Sequence, residues 1–90
     1  MKRNQQQVLG VLTEECAEVI QAVSKINRFG LNNEWQGVTN KQSLITEIGD
    51  VLAILLVLID ETDINISRNE IDVAITNKLN KLKEFLPYET

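Results

Sequence analysis

Four carboxylates in two short motifs are the residues best placed to do chemistry: Glu15-Cys16-Ala17-Glu18 and Glu47-Ile48-Gly49-Asp50. On a helix, residues three apart project from one face, one turn apart. Glu47 precedes Ile54 by seven residues and Asp50 precedes Val57 by seven. Each carboxylate therefore shares a direction with a side chain that should be buried. An unpaired buried carboxylate is costly, so each needs a positive partner or a metal. The plainer alternative is an exposed helix end facing solvent. Glu15 borders the apolar stripe of its own helix, and Glu18 shares a flank with Val11 and Ala22, which suggests that this flank is covered too. Glu14 points further out, as a solvated or capping charge does. If the two helices pack antiparallel, four carboxylates converge and repel unless a cation sits among them. The chain has no His and one Cys, Cys16, so the ligands are all oxygen. That selects a hard ion, Mg²⁺ or Mn²⁺.

The basic residues carry the complementary chemistry. Lys78 lies in the middle of an apolar stripe, with Lys81 at its edge. A Lys there has to snorkel out or meet an anion. Lys25 follows Glu18 by seven residues and shares its direction, and Arg28 comes one turn later. Acidic metal ligands beside Lys25, Arg28, Lys78 and Lys81 suit a metal-bound polyphosphate. Structural salt bridges between the same groups are the competing explanation.

Three helices must position these groups. Leu9, Leu12, Cys16, Val19, Val23 and Ile26 recur at the helical period, predicting a helix from about Gln5 to Phe29 that stops at Gly30. Gly30 to Asn40 is polar and turn-rich and reads as a loop. Thr39 with Gln42 fits a capping box for a second helix running to about Glu61. Ser67 with Glu70 fits another, for a third helix ending near Leu86 before Pro87. Its stripe is Ile71, Ala74, Ile75, Leu79, Leu82 and Phe85. No strand alternation is visible. The expected fold is all-α, an antiparallel helical bundle of three main helices completed by oligomerisation. The second helix is apolar on nearly all sides from Val51 to Ile59, more surface than one chain of three helices can cover.

Composition sets the bounds. At 90 residues and 43% apolar, the chain is one packed domain, residues 1–90, rather than a disordered tail. One Cys and no His exclude an internal disulfide, an ordinary zinc site within one chain and any nucleophile–histidine apparatus. The net charge of −4 argues against non-specific binding of nucleic acid. The longest uninterrupted apolar run is about half of what a membrane-spanning helix needs, and the N-terminus lacks a signal-peptide core. The expectation is a soluble cytoplasmic protein with no membrane partner.

The paired motifs, in order on two helices with 28 residues between, resemble the E-x-x-E…E-x-x-D signature of the MazG-type all-α nucleoside triphosphate pyrophosphohydrolases. The surrounding words EECAEVIQAVSKINRFG and EIGDVLAILL match as well, and the resemblance covers roughly Gln5 to Phe85. It implies antiparallel helices in a homo-oligomer, dimer or tetramer, with sites near subunit interfaces. It implies Mg²⁺-dependent hydrolysis of a nucleoside triphosphate between the α and β phosphates, giving the monophosphate and pyrophosphate. Glu15, Glu18, Glu47 and Asp50 would be the metal ligands and catalytic groups, one Glu also placing or deprotonating the attacking water. Lys78 and Lys81 match a basic K-x-x-K motif, without the Arg that often follows it. Val57 stands where many members carry Asn. The resemblance also extends to phosphoribosyl-ATP pyrophosphohydrolases and dimeric dUTPases, so it leaves the base open. A non-enzymatic helical module with an acidic face is the alternative from another class; Mg²⁺ would not stabilise it.

Trp35 lies in the loop between the motifs. It either packs on the helix ends as an anchor or stacks on a nucleotide base.

Overall fold

The computed structural model describes residues 1–89. Three helices, α1 (Gln5–Phe29), α2 (Asn40–Glu61) and α3 (Arg68–Phe85), carry nearly all of the regular structure. Asn4 caps α1, its side chain accepting from the Gln7 N–H, and Gly30 ends that helix at φ 88°. Both expected capping boxes are formed, Thr39 with Gln42 and Ser67 with Glu70.

The Gly30–Asn40 segment departs from the expected loop. It holds a small hairpin, β1 (Glu34–Trp35) and β2 (Val38–Thr39), with Trp35 paired to Val38. Gln36 and Gly37 form the turn, both at positive φ, which suits the twist of a two-residue hairpin. Strands of two residues are too short to show alternation in a sequence.

α1 and α2 pack antiparallel and are tied at both ends. At one end the buried Asn40 side chain donates to the Gly30 carbonyl at 2.9 Å and to the Lys25 carbonyl at 3.4 Å. At the other, the Arg3 N–H donates to the Glu61 carbonyl at 2.6 Å, and Arg3 Nε lies 2.9 Å from Glu61 Oε1. That ion pair is exposed and adds little by itself. Asn40→Ala removes the only side-chain partner of the Gly30 carbonyl among the described residues. We expect a loss of about 1–3 kcal/mol in chemical denaturation, with the far-ultraviolet spectrum unchanged.

The packed face of α1 is rotated from the expected stripe. Val8 and Ala22 are buried and Leu12, Glu15, Val19 and Ile26 half-buried, whereas Cys16 is exposed. Glu15 thus lies within the packed face rather than at its border. On α2 only Asn40 and Leu58 are buried. α2 as a whole is long and apolar enough to cross a membrane by length and composition. Glu47 and Asp50 near its middle would make that placement costly.

α3 does not pack along either of the other helices. Arg68 pairs with Asp60 at its start, and beyond Ile71 its stripe is largely open to solvent. The radius of gyration is 16.2 Å, where a compact chain of this length has about 12 Å.

Candidate metal centre and active site

The two end ties fix the register of the helix pair. Arg3 meets Glu61. Twelve residues inward along each helix, Glu15 falls opposite Gly49, between Glu47 and Asp50. One carboxylate oxygen from each of Glu15, Glu47 and Asp50 lies within 4.8 Å of the other two. Glu15 and Glu47 are half-buried and Asp50 is exposed, so the cluster opens on one side to solvent. Glu15 and Asp50 line a shallow cavity with Val11, Ala53, Ile54 and Val57.

Glu18 is not one of the three. It is exposed, against the expectation of a covered flank, but it is near enough to act on Glu15. The Glu15 carboxyl is held above its ordinary value of 4.5, first by partial burial and then by Asp50, Glu47, Glu18 and Glu14 in turn. The donor set suits a hard divalent ion: three carboxylates, with no nitrogen or sulfur among them.

A pH dependence follows for the metal-free protein. Between 4.5 and the raised value, the folded chain holds a proton at Glu15 that the unfolded chain has released. The contribution of Glu15 to stability is therefore fully present below pH 4.5 and is lost as pH rises through the folded value. The difference in melting temperature between wild type and Glu15→Gln in chelator should grow with pH across that window, wild type being the one that falls. A wild type that gained on the variant there would contradict the cluster geometry.

The basic candidates are not gathered at the trio. Lys25 follows Glu15 by ten residues, about 15 Å along the helix axis. Arg28 sits over the Phe29 ring, 5.1 Å from its centroid. Lys78 and Lys81 are exposed on α3, which stands away from the helix pair. Trp35 is 74% exposed, so it does not anchor the loop by burial in this chain. With Lys25, Phe29 and Asn33 it lines a separate cavity of about 450 Å³. The structure does not bring Trp35 to the acidic trio of the same chain.

Sequence reasoning missed a larger cavity beyond the one at the trio, in the opposite direction, towards the N-terminus of α1. It has about 460 Å³ and includes Asn4, Gln7, Val11, Ile54 and Val57. A signal was present: Gln7, Val11 and Glu15 follow one another at intervals of four.

No curated protein and no solved structure matches the chain. A family model does: that of the MazG nucleotide pyrophosphohydrolase domain matches residues 3–85, nearly the whole length, and the chain belongs to that family.

Proposed function

We propose that this nucleotide pyrophosphohydrolase is a Mg²⁺- or Mn²⁺-dependent enzyme that cleaves a nucleoside triphosphate between the α and β phosphates. The convergence of Glu15, Glu47 and Asp50 from two helices supports the reading. These three would hold the ion, with the α-phosphate beside it. A divalent ion there neutralises phosphate charge and polarises the reacting centre. Glu18, one turn on and outside the trio, is the carboxylate left to orient the attacking water and take its proton. Water adds to the α-phosphorus, the bond from that phosphorus to the bridging oxygen breaks, and pyrophosphate leaves. Lys25, nearly three turns beyond Glu15, is within the reach of a long side chain from the terminal phosphate. Lys78 and Lys81 would contribute only if α3 of a second copy closes over the site.

A homo-oligomer belongs to the same reading. The chain exposes 7513 Å², about 2200 Å² more than the roughly 5300 Å² expected of a compact monomer of 10.2 kDa. An excess of that size is what an obligate interface removes.

The decisive experiment is pyrophosphate release from a panel of common and modified (d)NTPs, with Mg²⁺, with Mn²⁺ and with chelator. Release that needs the ion is the expected result, together with a melting temperature raised by the ion alone. A melting temperature indifferent to millimolar Mg²⁺ and Mn²⁺ would remove the metal site.

A further inference from the structure

The acidic trio opens on two different directions along the helix pair, and their chemistry is opposite. Towards the C-terminal end of α1 come Glu18 and then Lys25 and Arg28. Towards the N-terminal end the cavity beside the trio and the larger cavity beyond it share Val11, Ile54 and Val57 as walls. The cation lining this end, Arg3, is already engaged by Glu61. Among the described residues that groove offers a triphosphate tail only this one cation, already paired, whereas a sugar and base would find apolar walls. Polar groups return at its far end. The Asn4 side-chain oxygen is used in capping α1. Gln7 lines the cavity, and its carboxamide has no hydrogen-bond partner among the described residues. Gln7 lies eight residues before Glu15, about 12 Å along the axis. A nucleoside monophosphate with its phosphate at the trio spans most of that gap, and the Gln7 side chain covers the rest.

We propose that the groove between α1 and α2 from the acidic trio to Gln7 holds the nucleoside half of the substrate, and that the Gln7 carboxamide pairs with the edge of the base. The assignment rests on the pyrophosphohydrolase reading and adds the direction in which the substrate lies. A carboxamide offers one donor and one acceptor side by side, which suits a base edge that presents both. Val11, Ile54 and Val57 exclude water from the sugar and strengthen that pair.

Two variants test this. Gln7→Leu keeps a good helix former in the first turn and should raise KM for the preferred nucleotide roughly 10–100-fold, the worth of one two-point pair to a base. Its kcat should stay within about twofold, and the spread of KM across the four bases should narrow. Val57→Phe fills the groove next to the trio. It should lose nucleotide turnover while Mg²⁺ or Mn²⁺ alone still raises its melting temperature as in wild type. Unchanged KM values for all four bases in Gln7→Leu, or normal turnover by Val57→Phe, would overturn the assignment while leaving pyrophosphate release intact. Failure of the parent reading looks different: wild type itself releases no pyrophosphate from any nucleotide.

Discussion

Asp50→Asn should lower kcat/KM for pyrophosphate release by on the order of 10³-fold, the loss expected when a preorganised group that stabilises the reacting charge is removed. The structural cost should be small, because Asp50 is exposed. The same substitution should raise the melting temperature in chelator. It removes one of three carboxylates held within 4.8 Å of one another, and their repulsion is a strain that the metal-free fold carries. The stabilisation by Mg²⁺ should shrink in step. A wild-type site at one hundred times its dissociation constant gains about 2.7 kcal/mol by mass action, and a variant with a weakened site gains far less. Glu18→Gln should behave differently. Glu18 lies outside the trio, so turnover should fall while stabilisation by the ion is largely kept. Glu18→Gln and Asp50→Asn losing the ion effect equally would return Glu18 to the ligand set. Substantial turnover in both would sink the site.

The helices were legible because their signals are local. Asn4, Gly30, Thr39 with Gln42 and Ser67 with Glu70 mark the boundaries through hydrogen bonds spanning a few residues. The acidic site was legible because three-residue spacing on a helix has one geometric meaning, and Glu47 and Asp50 shared directions with Ile54 and Val57. What a wheel cannot give is the rotation of one helix against another. A stripe through Cys16 sets α1 off by part of a turn and puts Glu15 at its border; the cover expected over Glu18 rested on Val11 and Ala22, and of these Val11 is exposed. The ties from Asn40 to Gly30 and from Arg3 to Glu61 set the true rotation, and they join residues 10 and 58 positions apart. The hairpin was missed because it depends on the Gln36–Gly37 turn rather than on strand pattern. The standing of Lys78 and Lys81 was not legible either. Their stripe on α3 is an amphipathic face that stays largely open to solvent among the described residues.

Leu52→Asp should convert the protein into monomers. Ile45, Ile48, Leu52 and Leu56 follow one another at helical spacing on α2, and they are 61%, 44%, 57% and 47% exposed. This stripe lies about 140° round the helix from Glu47, facing away from α1. No Asp or Glu interrupts it, and an uninterrupted apolar stripe on a helix already packed on its other side needs a cover. A second copy of the chain would supply one, since the same stripe is self-complementary across a two-fold axis. In the single chain an Asp at position 52 stays in water and costs only helix propensity, about 0.5 kcal/mol. In a two-fold dimer it buries two like charges without partners, a penalty of several kcal/mol. Three orders of magnitude in the dissociation constant correspond to about 4 kcal/mol. Sedimentation at micromolar concentration should therefore give a multiple of 10.2 kDa for wild type and the single-chain mass for the variant. Leu52→Ala, which leaves no charge, should dissociate only on dilution. A wild type that sediments as a monomer, or a Leu52→Asp protein that keeps the wild-type mass, would move the interface off this face of α2.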